Sequence, residues 1–461
     1  MKKNLSEQVT QIMTDFVSRL RYEDIPADVR ERAKVYILDS LACSIGGCLT
    51  GPGKMMAEFF ASMGGTPEAR ILGTGERIPC LHAIYVNAYL SNVLDFDDTF
   101  STWSHPGSTI VTPAFGVAEK IGGISGKQYL TAVVAGYEMS IRIGLATLPS
   151  PERYKQAFGM ATHQIFGSAT VAGKLLSLNP GEMATAYGFA GMSAPVAHCR
   201  KNGLDGNERP FSWLKNNFGW AAMGGVLAVF LTQKGFAGPH KVLDGERGFW
   251  AMCGSDRCDF DAMVKELGKT FLIGETSFKP YASCRWTHST IDATREIIGR
   301  ENLDPRMVER ISVRSFFELC RNMTLKHPSN IIDAQFSIPF LVAATIMGHS
   351  PHEGLYEEAL RDPEVFALSE KVSLEPDEES DRMYLNEKLM PSKVTIRMKD
   401  GQEFEKRVDV PSGSPGNFQP LSEQLEKYEL LVSRVLGAEK SMESLEKIME
   451  IERISEVAQV F

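Results

Sequence analysis

The sequence predicts a mainly α-helical protein, with a large all-helical domain joined to a smaller α+β lid domain. Three observations predict it. Apolar residues recur at helical spacing from Val9 onward. Long stretches rich in Ala, Gly and Leu follow, with no clear strand–turn–strand pattern before about residue 270. Alternation of period two then begins near residue 310 and recurs near 393. At 461 residues, 43% hydrophobic and 23% charged, the chain is long enough for two or three domains and a sizeable core.

Val9, Ile12, Met13, Phe16, Val17 and Leu20 trace one helix face, with Ser6 as the expected N-cap. Pro26 and Asp28 open a second helix that carries Val29, Ala33, Ile37, Leu41 and Ile45 and stops at Gly46-Gly47. Further helices are expected over 109–121, 127–146, 161–178 and 220–235, where small residues permit close helix contact. Residues 310–315 alternate as a half-buried strand. Val394, Ile396 and Met398 alternate too, Asp400-Gly401 supplies a hairpin turn, and Phe404, Val408 and Val410 continue the return strand. Helical runs at 337–347 and 354–361 lie between the strands, and the charged stretch 421–460 reads as a helical return. The expected division is 1–274 plus 411–461 for the all-helical domain and 275–410 for the lid.

Composition excludes several functions. A net charge of -9 without a long Lys/Arg run disfavours nucleic acid, though a local cationic pocket can still hold an anionic small molecule. The 8 cysteines are too sparse for a disulfide framework, and none forms Cys-x-x-Cys. The N-terminus lacks the apolar core of a secretory leader, and the apolar run at 218–232 falls short of the ~20 residues that cross a bilayer. A cytoplasmic protein without membrane contact is expected. The motifs for dinucleotides, nucleotide phosphates, zinc proteolysis and the α/β-hydrolase nucleophile are all missing. His349 and His352 flank Pro351, a turn rather than a metal-binding helix face, so no metal is expected.

Three polar clusters remain. Asp95, Asp97 and Asp98 precede Thr99 and a His105-Pro106 turn. These acids could simply cap helices. Alternatively, one could hydrogen-bond His105, fixing its tautomer and raising its basicity. The second cluster, at the expected domain junction, holds Lys279, Tyr281, Cys284, Arg285 and His288. Cys284 could be a nucleophile or a small buried residue, and His288 a catalytic or a core histidine. The third is Lys215, just ahead of an apolar Gly/Ala-rich helix, either snorkelling to solvent or aimed at a substrate carboxylate. His163 is a further candidate, and residues 198–201 could add positive charge or form a solvated loop.

The run 94–99, then His105-Pro106 and Pro113-Ala114, resembles the signature of the MmgE/PrpD family of 2-methylcitrate dehydratases, cis-aconitate decarboxylases and iminodisuccinate epimerases. Ordered matches follow at Ser125-Gly126, at 135–138 with Arg142, and at 173–176, 235–239, 279–288 and 333–337. The resemblance implies a homodimer with an active site between the helical and lid domains, and neither organic cofactor nor metal. It also implies pocket roles for Asp95, Thr99, His105, Lys215 and His288. Two positions depart from the family pattern: Asn92 stands where a His is common, and Phe158 falls at a pocket His, with His163 about a turn later.

Together these readings predict a cofactor-free lyase of the dehydratase/hydratase type, abstracting a proton α to a carboxylate on a small di- or tricarboxylate. Lys215, Arg285 and Lys279 would bind carboxylates, with Thr99 and His163 in the pocket. His105 or His288 would serve as base and then acid, Asp95 would orient an imidazole, and Tyr281 would protonate the leaving hydroxyl. The alternatives are a decarboxylase or epimerase using the same carbanion, and a carboxylate-binding protein without catalysis.

Overall fold

The computed structural model describes residues 5–101, 104–154, 156–157, 162–196, 209, 211–349 and 356–461. It is mainly helical. The first helix, α1 (Val9–Arg19), follows a 3-10 turn at Leu5–Glu7, so Ser6 lies a turn too early to cap it. Asp244 does the capping work instead: its carboxylate accepts from the Thr10 backbone N–H at 2.8 Å, 234 residues away. Next come α2 (Ala27–Gly47), α3 (Gly51–Ser62), α4 (Cys80–Val93), α5 (Pro106–Ile121), α6 (Gly126–Ala146), α7 (Ile165–Leu175), α8 (Pro180–Ser193) and α9 (Phe218–Gln233).

Helix α5 is the hub. Every residue from Pro106 to Glu119 is buried, and it touches α2, α4, α6, α7 and α9. Small residues set the spacing: a Cβ at Gly225 of α9 would stand 2.5 Å from the Ile165 carbonyl oxygen of α7. No helix among the described residues is long and apolar enough to cross a membrane.

Among the described residues the strands form two sheets. A two-residue ribbon, β1 (Ala69–Arg70) with β2 (Arg77–Ile78), precedes α4. It is too short to show alternation, which is why the sequence did not announce it. The second sheet has the order β4-β3-β5-β6, from β3 (Val308–Ser315), β4 (Val372–Pro376), β5 (Ser392–Met398) and β6 (Glu403–Val408). The β5–β6 hairpin pairs Ile396 with Phe404, as its alternation predicts, and Val410 falls beyond it. Strand β4 was not anticipated: it runs parallel to β3 on the sheet edge and mixes polar with apolar residues. Helices α10 (His288–Arg300) and α11 (Ile338–Ile346) complete this part. Of the helical run expected at 354–361, the described part is a 3-10 turn, Ala359–Arg361, stopped by Asp362 capping a helix that begins at Pro363. Finally α12 (Leu421–Leu436) returns to pack on α2, followed by α13 (Ala438–Met449).

Candidate active site

The loop between α4 and α5 carries the acidic run, and the structure buries all of it. Asp95, Asp97, Asp98 and Thr99 are each at most 2% exposed. Buried carboxylates require partners, and each finds a different one. Asp95 sits at φ 51°, a left-handed conformation that costs a non-glycine residue about 1 kcal/mol or more. Its Oδ1 lies 3.1 Å from Lys215 Nζ and 3.2 Å from Lys279 Nζ. Burial alone would raise its pKa, but the two ammonium groups outweigh burial and hold it below the usual carboxylate range. Lys215 also donates to the Asn92 carbonyl at 2.7 Å, and Lys279 to the Asp95 carbonyl at 2.9 Å. Burial lowers the Lys215 pKa, with Asp95 opposing.

Asp97 pairs with His105. Its Oδ1 is 3.3 Å from His105 Nδ1 and accepts from Asn92 Nδ2 at 2.8 Å, while Ser108 donates to Oδ2. The imidazole is therefore oriented by Asp97. The expected orienting group, Asp95, is instead occupied by the two lysines. A carboxylate at Nδ1 selects the tautomer protonated there. His105 Nε2 has no hydrogen-bond partner among the described residues. The ring packs on Phe218, centroids 5.5 Å apart, and Gln164 Oε1 accepts from the His105 backbone N–H at 2.7 Å.

Asp98 lies beneath, accepting from Tyr137 OH at 2.8 Å and from the Gly107 N–H at 2.9 Å. Glycine is needed at 107, since a Cβ there would fall 2.5 Å from Asp98 Oδ1. Burial, with Asp97 and Asp39 nearby, raises the Asp98 pKa well above normal. A carboxyl that is protonated when folded but ionised when unfolded weakens the fold as pH rises from about 4. The neutral mimic Asp98→Asn should therefore gain stability relative to wild type by about 1.4 kcal/mol per pH unit above that point. Urea unfolding at pH 5, 6 and 7 checks this, and a pH-independent difference counts against a protonated Asp98.

The cluster at 279–288 divides. Lys279 joins the acidic loop, whereas Arg285 is a strut, with Nη1 2.9 Å from the Ser412 carbonyl and Nη2 2.6 Å from Ser414 Oγ. Burial lowers its pKa to about 10. Arg285 Nη1 also donates to His288 Nδ1 at 2.9 Å, which leaves His288 Nε2 to carry the proton toward the Ser283 carbonyl at 3.2 Å. Burial, reinforced by Arg285 and Lys279, holds His288 well below an ordinary histidine. With both nitrogens engaged, His288 is not set up as an acid or base. Tyr281 donates to Asp292 at 2.6 Å and lines a separate cleft of about 1190 Å³ between α10, β6 and α12. Burial pushes its hydroxyl pKa up, with Asp292 adding to the effect. That hydroxyl is committed to Asp292 rather than offered as a leaving-group acid. Burial pushes the Cys284 thiol up to about 12, against a nucleophilic role.

Thr99 pairs its backbone with Ser277, beside Lys279, and its buried Oγ1 makes no hydrogen bond among the described residues. His163 lines a small cavity with Thr147, Cys253 and Ser255, and burial lowers its pKa to about 3. Phe158 and residues 198–201 lie outside the described residues. Sequence reasoning missed the roles of Asn92, Asp97, Gln164 and Gln335, although the first two stood in or beside the acidic run. The described residues bring Asp95, Asp97 and His105 close enough to share a metal ion, yet Asp95 already carries two ammonium groups that oppose a cation.

Family models described as the MmgE/PrpD N-terminal domain and the MmgE/PrpD C-terminal domain match residues 11–260 and 281–451. Among curated proteins, the chain is 25% identical to a cis-aconitate decarboxylase of Aspergillus terreus, covering 99% of this chain and 95% of that protein. It is 24% identical to the cis-aconitate decarboxylase of Homo sapiens, covering 96% and 92%.

Proposed function

Because the chain belongs to the MmgE/PrpD family, we propose that it is a lyase acting on a small polycarboxylate, and within that class a decarboxylase of a cis-aconitate-like tricarboxylate. One observation carries this reading: an imidazole whose Nδ1 is anchored on Asp97 and whose Nε2 is uncommitted among the described residues, beside two buried ammonium groups. The substrate carboxylates meet Lys215, Lys279 and the Thr99 hydroxyl. Loss of CO₂ breaks a carbon–carbon bond and leaves its electron pair delocalised toward a neighbouring carboxylate. The ammonium groups stabilise that charge, and His105 delivers a proton to the carbon through Nε2. Asp97 stabilises the imidazolium before transfer and holds the ring after it.

Dehydration shares the carbanion but needs an acid for the departing hydroxide. Tyr281 was the expected acid, and its engagement with Asp292 favours decarboxylation. Dehydration stays the second reading, since His105 could protonate the hydroxide. The test is a panel of cis-aconitate, citrate, 2-methylcitrate and iminodisuccinate, followed by proton NMR in deuterated water with and without a chelator. CO₂ release from cis-aconitate with deuterium in the product supports the proposal, whereas water loss from a hydroxy acid supports the second reading. Deuterium exchange without net product points to an epimerase, and inactivity throughout leaves a carboxylate-binding protein. Inactivation by the chelator would return Asp95, Asp97 and His105 as metal ligands.

A homodimer is proposed as well. Met55 and Phe59 on α3 and Met63 just after it are each at least 50% exposed, and Trp220 and Leu227 on α9 are partly exposed. Phe60 and Tyr85, ring centroids 4.8 Å apart, link the two helices across α4. So large an apolar surface is a candidate interface for a second copy. Light scattering should give twice the chain mass, and Phe59→Glu with Trp220→Glu should halve it. A wild-type monomer rules the dimer out.

A further inference from the structure

The matched stretch 333–337 has no part in the chemistry above, yet it touches the segment that carries Lys215 repeatedly. Asp333 Oδ1 accepts from the Phe211 backbone N–H at 3.3 Å and lies 3.7 Å from Arg209 Nε. Phe336 stacks on Phe211, centroids 4.3 Å apart and planes 16° from parallel, and its carbonyl accepts from Arg209 Nη2 at 3.3 Å. The Lys215 ammonium stands 5.7 Å from the centre of the Phe336 ring. Gln335, fully buried, completes the clasp: Oε1 lies 3.5 Å from Lys215 Nζ, and Nε2 donates to the Val93 carbonyl at 3.0 Å.

The segment needs holding. Lys215 and Asn217 both adopt left-handed backbone, at φ 49° and 59°, immediately before α9 begins. Two such residues in three positions persist only where their surroundings hold them. The hydrogen bonds from Lys215 to Asn92 and Asp95 hold one side, and residues 333–336 hold the other. Asp95, the counter-ion, is left-handed too. Both halves of the ion pair therefore depend on tertiary support.

We infer that Asp333, Gln335 and Phe336 are positioning residues for Lys215, so that the cationic half of the site is assembled only where the C-terminal part of the chain docks against α4 and the segment before α9. Gln335 does this most directly, because one side chain bridges the Lys215 ammonium and the end of the helix that leads into Asp95.

The test is pulse labelling of lysine amines with acetic anhydride on the full chain, read by mass spectrometry, together with kcat and KM. The inference rests on the proposed chemistry only for the importance of Lys215. Labelling needs no substrate, so an inactive panel with Lys215 freed by substitution would sink the chemistry and leave the clasp standing. In Gln335→Met, Lys215 labels roughly tenfold faster than in wild type, the scale of losing one hydrogen bond to a charged group. Lys279, also buried, keeps its wild-type rate. Asp333→Asn gives a smaller increase in the same direction, and Gln335→Glu, which keeps an acceptor for Lys215, restores slow labelling. Where turnover is present, kcat falls by roughly the same factor with less change in KM. Unchanged Lys215 labelling in both Gln335→Met and Asp333→Asn overturns the inference. So does an equal rise at Lys279, which marks general loosening.

Discussion

His105→Asn should reduce kcat on the true substrate by about a thousandfold while leaving the melting temperature within a few degrees of wild type. An asparagine amide can still donate toward Asp97, so the buried carboxylate keeps all of its partners. It has nothing in the place of Nε2 and cannot carry a proton to carbon. Steady-state kinetics and a thermal melt on the same preparation check both halves. A large drop in melting temperature with turnover retained would make His105 structural and return catalysis to His288, whose nitrogens would then have to leave Arg285 and Ser283.

The second large effect concerns stability. Asp95→Asn removes the shared counter-ion of Lys215 and Lys279, whose side chains are 2% and 0% exposed. Breaking a buried ion pair from one side costs about 3–5 kcal/mol, because the remaining charge stays desolvated. Here two charges remain, and they repel each other. Urea unfolding should show a loss of at least that size, and Asp95→Asn with Lys215→Met should recover part of it, a coupling that a double-mutant cycle reads directly. A cost below about 1 kcal/mol for Asp95→Asn would mean that water reaches the lysines and that their surroundings are not of low dielectric.

Helices α1 and α2 were legible from apolar residues at helical spacing, and α5 and α6 from runs rich in Ala, Gly and Leu, neither of which needs tertiary information. The β5–β6 hairpin was legible for the same reason, through alternation and Asp400-Gly401. Strand β4 was not, since an edge strand of five residues leaves little pattern. At the site, composition marked the right neighbourhoods but not the assignments. Asp95 and Asp97 look equivalent in sequence. Only the fold pairs one carboxylate with two lysines and the other with His105. Arg285 likewise read as a carboxylate-binding cation and His288 as a base and then acid, whereas in the fold the guanidinium occupies the imidazole's acceptor nitrogen. Gln335 has no chemistry of its own to announce it, and its role depends on a contact 120 residues away in the chain.

Lys427 of α12 reaches back under the same loop. It forms an ion pair with Asp39 at 2.5 Å, donates to the carbonyls of Phe96 and Lys279, and lies 3.9 Å from the centre of the Phe96 ring. The bond to Phe96 spans 331 residues. During synthesis the acidic loop therefore leaves the ribosome long before this ammonium exists. Until α12 emerges, the nascent chain holds Asp39 without its cation and the loop without its brace. Translation that stops short of α12 yields a polypeptide with most of its core but with Asp39 uncompensated, so the acidic loop gains its final support only after residue 427 has been made.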